Sequence, residues 1–349
     1  MQSKLKYERD KAMKEKMWCL LVHLSDNQWV DNDIYPNKKP IIFDDTLWTY
    51  ILEKSVDTGI NTIVLDVGDG VIFDSYPEIA AKGAWTKERV KTELKRCRDL
   101  GITLIPKLNF ATTHDHWLGE YSRMISTKPY YEVVKALIEE TYELFEKPEY
   151  FHIGMDEEDE LHVRNFQYAL YRQGELYWHD LEYIVNCVKS LGATPWMWAD
   201  PLFDKTEEYP KHFEPDEILL SPWYYNSFRK EHYTPIESRA EYVTYYNEGN
   251  YAKMGIKYVE EDPFLVNVRE KAIPLSKKGY KYVPCASVFN RCNYNHDDLL
   301  EYFRDNAEDS SIVGYMSAPW IPTARVGNSE LFYEETFKYF KAAIEKFYK

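Results

Sequence analysis

No stretch of this chain stays apolar for the roughly 20 residues that a bilayer-spanning helix needs, so no membrane partner is expected. Positive charge is also short: 43 Lys and Arg face 58 Asp and Glu, a formal net charge of -15. A surface of that sign does not neutralise phosphates, which excludes nucleic acid as a partner. Cysteine is scarce, with five residues (Cys19, Cys97, Cys187, Cys285 and Cys292), odd in number, far apart and without a C-x-x-C pair. A disulfide frame and a cysteine zinc site are therefore excluded, and the thiols read as reduced and buried. No G-x-G-x-x-G or Walker loop follows any apolar run, and the glycines of VGDG at 67–70 lack the spacing of a phosphate cradle. No Pro/Gly/Ser linker or shift in charge divides the 349 residues, so one domain over 1–349 is expected, with a charged lead at 1–16. That lead has no apolar core of the secretory type. The chain as it stands is expected in the cytoplasm, or outside the cell if a signal has been removed. Oligomeric state is left open.

Aromatic residues are abundant at 16% of the chain, with 30 Tyr and 10 Trp. Short apolar runs suited to buried strands occur at 17–24 (MWCLLVHL), 61–67 (NTIVLDV), 102–109 (ITLIPKLN) and 150–154 (YFHIG). Four more follow at 194–199 (TPWMWA), 217–223 (EILLSPW), 281–288 (KYVPCASV) and 311–317 (SIVGYMS). Helical spacing of apolar residues marks 46–58, 86–100, 129–145, 178–191, 263–278 and 334–348, several closed by glycine. Continuous apolar strands alternating with helices imply a parallel sheet covered on its outer face. Eight such units predict an α/β fold of the (β/α)8 TIM-barrel type, with its site at the C-terminal ends of the strands.

The residues at those ends are polar and aromatic. The second strand ends in Asp66 and Asp69. The third carries Lys107 and Asn109, then His114, Asp115, His116 and Trp117, and the fourth carries His152, Asp156 and Glu157. The fifth ends in Trp196, Trp198 and Asp200, the sixth in Trp223, Tyr224, Tyr225 and Asn226, and the eighth in Trp320. Carboxylates, imidazoles and indoles on one rim suit a carbohydrate, because an indole stacks on the apolar face of a sugar. Glycoside cleavage needs one carboxyl group that donates a proton to the leaving oxygen and a second charge that stabilises the cationic centre. Asp156 and Glu157 are candidates for those roles, since adjacent carboxylates push their pKa values apart. Glu158, Asp159 and Glu160 read instead as the acidic first turn of the next helix. Lys107, if close to the pair, would hold it ionised.

The run His152-Ile153-Gly154-Met155-Asp156-Glu157 resembles the signature of glycoside hydrolase family 20, the β-N-acetylhexosaminidases and relatives. The resemblance extends over roughly 17–345 and implies a (β/α)8 catalytic barrel with no cofactor and a carbohydrate substrate. It implies Glu157 as general acid/base and Asp156 as the group that orients a 2-acetamido substituent. The acetamido oxygen would be the nucleophile, giving an oxazolinium intermediate and retention. It further implies Trp198, Trp223 and Trp320 as pocket walls and Tyr224 or Tyr225 as a donor to the acetamido carbonyl. His152, Asp66, Asn109 and His114 complete the expected substrate-binding set. The chain departs from the family pattern at Met155, where a second glycine is usual. It also has Lys107 and Asn109 in place of an acidic pair on the third strand, and no arginine after the first.

Other functions compatible with these residues are a glycosidase for a non-acetylated sugar and a carbohydrate-binding barrel without activity. A metal-dependent hydrolase is a further one. His114-Asp115-His116 has the H-x-H spacing that aims two imidazoles at one ion, with His152 and Asp156 as further ligands.

Overall fold

The computed structural model describes residues 16–25, 39–163, 169–229, 232 and 262–348. The charged lead up to residue 15, Asp26 and Asn27 after the first strand, and most of the Tyr-rich segment before 262 lie outside the described residues.

All eight expected strands form, each shorter than its apolar run. They are β1 (Met17–His23), β2 (Thr62–Asp66), β3 (Thr103–Lys107), β4 (Tyr150–His152), β5 (Thr194–Trp198) and β6 (Leu219–Ser221). β7 comes in two pieces, Lys281–Tyr282 and Cys285–Ala286, and β8 is Gly314–Ser317. Every pairing is parallel and follows chain order, with β1 against β8. β7 closes the ring: its first piece pairs with β6 and its second with β8. Its backbone bonds both neighbours, with Val283 N donating to Leu220 O at 2.8 Å and Val313 N donating to Tyr282 O at 2.9 Å. The break at 283–284 has a cause in Pro284, which has no N–H to give to a ladder.

The outer layer consists of α1 (Asp45–Thr58), α2 (Lys87–Asp99), α3 (Lys128–Leu144), α4 (Gly174–Ser190), α5 (263–276, with a π-helical turn at Asn267–Ala272), α6 (Asn295–Asn306) and α7 (Ser329–Tyr348). α1 shows how sequence sets these boundaries. Asp44 Oδ1 accepts from the backbone N–H groups of Thr46 and Leu47, both at 2.8 Å, and Gly59 ends the helix at φ +92°. Such an N-cap is worth about 1 kcal/mol. Leu47, Trp48, Ile51 and Leu52 then fall on one buried face. Between β5 and β6 there are only the short helices Asp200–Asp204 and Tyr209–His212. α6 was not expected from the sequence, because its first turn is polar and its apolar residues (Leu299, Leu300 and Phe303) are few. No helix of the described residues is long and apolar enough to cross a membrane.

Strand side chains alternate between the two faces of the sheet, and the two apolar clusters follow that parity. Trp18, Leu20, Val22, Ile63 and Leu65 face the helices. Cys19, Leu21, Val64, Ile105, Trp196, Trp198, Leu219, Cys285 and Met316 fill the barrel interior. All five cysteines are free and buried, as expected. Near the mouth the interior turns polar. Lys107 Nζ donates to Asp66 Oδ2 at 2.6 Å, and His23 Nδ1 lies 3.1 Å from the same oxygen. Burial alone would raise the Asp66 pKa, but Lys107 and His23 outweigh it and hold the carboxyl well below its usual range.

Candidate active site

The C-terminal end of β4 turns sharply. Gly154, Met155 and Glu157 all lie in the left-handed region, at φ +75°, +68° and +58°. A non-glycine residue held there costs on the order of 1–3 kcal/mol, and such strain persists only where the surroundings impose it. Here β4 itself and the strands on either side impose it. Gly154 N donates to His152 Nδ1 at 3.1 Å, Met155 N to Asn109 Oδ1 at 3.2 Å and Glu157 N to Asp200 Oδ1 at 3.2 Å. A Cβ on Gly154 would stand 1.9 Å from Asn109 Oδ1 and 2.7 Å from Asn109 Cα, so the first glycine of the motif is required. At the second position Met155 buries its side chain instead.

This turn brings Asp156 and Glu157 onto one imidazole. His114 Nε2 lies 3.3 Å from Asp156 Oδ2 and 3.3 Å from Glu157 Oε2. Burial pulls the His114 pKa down, but the two carboxylates outweigh it and the net shift is upward, favouring the imidazolium. The other Asp156 oxygen accepts from Asn109 Nδ2 at 2.8 Å. The other Glu157 oxygen lies 3.6 Å from His162 Nε2, and His162 Nδ1 is 2.7 Å from Asp159 Oδ2. Asp156 is buried, whereas the Glu157 side chain keeps 20% of its surface exposed, the arrangement needed by a group that must reach a ligand.

An aromatic wall flanks the pair. Ring centroids run from Trp198 to Trp320 (5.4 Å), Trp320 to Tyr225 (6.2 Å) and Tyr225 to Trp223 (5.0 Å, stacked). Trp198 is buried beneath, and the other three are half-buried. Asp200 joins wall to acid pair, because its Oδ2 accepts from Trp223 Nε1 at 2.9 Å while its Oδ1 holds the Glu157 backbone. Burial, then Asp156 and Glu157, raise the Asp200 pKa well above the usual carboxylate range.

Several expected site residues sit elsewhere. Tyr224 has the wrong parity: it packs on Phe228 in the outer core, with its hydroxyl 3.5 Å from Asp262, so Tyr225 is the tyrosine on the wall. Asp66 and His152 are buried below the pair, Asp66 in its ion cluster and His152 between the rings of Trp196 and Trp198. Burial, then Lys107, lowers the His152 pKa well below its usual value and keeps it neutral. Lys107 makes its ion pair with Asp66. Asn109 serves as a holder of Asp156 and of the Met155 backbone.

Glu158 is not a solvated first-turn acid. It is buried, accepts from Thr112 N at 3.1 Å and from Arg172 Nη1 at 2.9 Å, and Arg172 also bonds Asp180. This clamp fixes the loop after β3 that carries His114. Asp200 was placed on the rim by the sequence but given no role, and His162 and Arg172 were missed. The one available signal was that Asp200 follows Trp198 with strand parity.

The H-x-H pair does not form an ion site with His152. Among the described residues, the group close enough to share a metal ion is His114, Asp156 and Glu157, whose donor atoms lie within 4.8 Å of one another. A groove of about 480 Å³ at the opposite end of the barrel, lined by Thr194, Pro195 and Glu217, contains none of these residues.

The fold and the rim site define a (β/α)8 barrel of the kind that carries its chemistry at the strand C-termini. No protein-family model matches the chain, and no curated protein matches it by sequence. Solved structures do match in fold, among them glycoside hydrolase family 20 enzymes. The enzyme of Streptomyces coelicolor is 11% identical over 93% of this chain and 63% of its own, with a TM-score of 0.57. The exo-β-N-acetylglucosaminidase of Vibrio harveyi, solved with N-acetylglucosamine, is 13% identical over 94% of this chain and 54% of its own, at 0.59. A catalytic module of the pneumococcal exo-β-D-N-acetylglucosaminidase is 16% identical over 95% of this chain and 86% of its own, at 0.56. The chain thus spans less than two thirds of the first two, and its barrel resembles the family 20 catalytic barrel.

Proposed function

We propose that this barrel is a retaining glycosidase that removes a terminal 2-acetamido sugar by substrate-assisted catalysis. The observation that carries this reading is that Asp156 and Glu157 meet on His114 while one carboxyl group, Asp200, ties them to the indole wall. The sugar ring stacks on Trp223 and Trp320, with Trp198 beneath. In its protonated form Glu157 gives its proton to the glycosidic oxygen as the bond to the leaving group breaks. The acetamido oxygen attacks the anomeric carbon, forming the oxazolinium ion, and Asp156, fixed by Asn109 and His114, orients the acetamido N–H and offsets its positive charge. Tyr225 donates to the acetamido carbonyl. Glu157, now a carboxylate, takes a proton from the water that opens the oxazolinium ring.

Glu157→Gln is expected to lose about 10²–10⁴ in rate on aryl N-acetylglucosaminide. Asp156→Asn should harm N-acetylated substrates more than others. If both variants turn over like the parent, this function is wrong. A second reading, metal-assisted hydrolysis, draws support from the spacing of His114, Asp156 and Glu157. Activity lost to a chelator and restored by zinc would favour it.

A further inference from the structure

Asp200 stands between two features that come from different strands. It opens the short helix after β5, two residues past Trp198. On one side it accepts from the backbone N–H of Glu157, which leaves β4 at φ +58°. On the other it accepts from the indole N–H of Trp223, beyond the end of β6. A left-handed glutamate needs an external hold. The Trp223 indole also contacts Tyr225 and Phe264, at 5.0 and 4.8 Å between ring centroids, and neither of those contacts fixes its polar edge. The Asp200 carboxyl group supplies both holds.

We propose that Asp200 is a positioning residue that couples the wall to the acid/base: one carboxyl group sets both the backbone of Glu157 and the tilt of Trp223. The kinetic consequence rests on the glycosidase reading, whereas the coupling itself does not. A ligand pressing on the Trp223 ring moves the same group that holds Glu157, so binding on the wall and the aim of the proton donor change together. A misplacement of about 1 Å at such a centre costs on the order of 10² in rate.

Asparagine at 200 keeps the volume but offers one acceptor in place of two, and its amide N–H₂ would then face an N–H donor. Asp200→Asn is therefore expected to lower kcat/KM about 10²-fold. Trp223→Phe keeps an aromatic face and loses the indole donor together with part of the ring area. It is expected to lower kcat, and not only raise KM, by about 3- to 10-fold, the worth of one hydrogen bond. Combined, the two should lose no more than Asp200→Asn alone, because they break one unit. The structural readout is a nitrogen-15 tryptophan NMR spectrum of the full chain, in which the Trp223 indole signal is identified by its absence in Trp223→Phe. Asp200→Asn should shift that signal and leave the other indoles in place.

An unmoved Trp223 signal in Asp200→Asn, or losses that multiply in the double variant, would overturn the proposal. Should Asp200→Asn fail to fold, an unchanged kcat in Trp223→Phe would overturn it equally. A parent that cleaves no glycoside sinks the glycosidase reading, and the NMR comparison still decides the coupling.

Discussion

The turn after β4 can be tested by adding a single methyl group. Gly154 and Gly101 have nearly the same φ, +75° and +73°, but different surroundings. A Cβ on Gly101 meets nothing within 4 Å, whereas one on Gly154 meets the side chain of Asn109 at 1.9 Å and its Cα at 2.7 Å. Gly101→Ala thus bears only the left-handed backbone cost, about 1–2 kcal/mol. Gly154→Ala bears that cost and must also push back a neighbour whose backbone cannot swing aside, which adds about 1–3 kcal/mol. Displaced Asn109 then gives up its bonds to Asp156, to Met155 N and to Ala111 N, each worth about 1 kcal/mol net. The difference between the two variants comes to roughly 4–6 kcal/mol. Thermal unfolding followed by circular dichroism should show a small drop in Tm for Gly101→Ala. For Gly154→Ala it should show a drop several times larger, accompanied by loss of activity as Asp156 loses its holder. Equal shifts for the two would refute the packing argument and with it the geometry assigned to the acid pair.

Two further outcomes follow from the charged groups. The raised His114 pKa means that its contribution to stability is fully present below the unfolded value of about 6.5 and is lost as pH rises through the folded value. The Tm gap between parent and His114→Gln should therefore be widest in acid and narrow on the alkaline side; a gap that widens with pH contradicts the imidazolium assignment. Arg172 is buried between Glu158 and Asp180, so Arg172→Leu strands two buried carboxylates and should destabilise by about 3–5 kcal/mol in urea unfolding, with a loss below 1 kcal/mol as the contrary result.

Much of the architecture was legible because strand and helix periods are local. The eight apolar runs, the glycine stops and the acid pair at the end of the fourth run needed no knowledge of distant contacts. Strand parity also lay in the sequence: Trp223 and Tyr225 share a face and Tyr224 does not, although a bare motif comparison left both tyrosines open. α6 was not legible, since its apolar face is short, and the run at 281–288 concealed the break at Pro284 that lets β7 join both edges.

Residue type and order alone determined that carboxylates, imidazoles and indoles would gather on one rim of a parallel barrel. Which of them touch was decided only by the tertiary structure, because that depends on side chains meeting across strands far apart in the chain. Lys107 was free in the sequence to face either Asp66 or the acid pair, and the barrel interior set it on Asp66. Glu158, next in line after Glu157, was drawn into a buried clamp by an arginine 14 residues away. Asp200 acquired its place between Glu157 and Trp223 only when β4, β5 and β6 lay side by side.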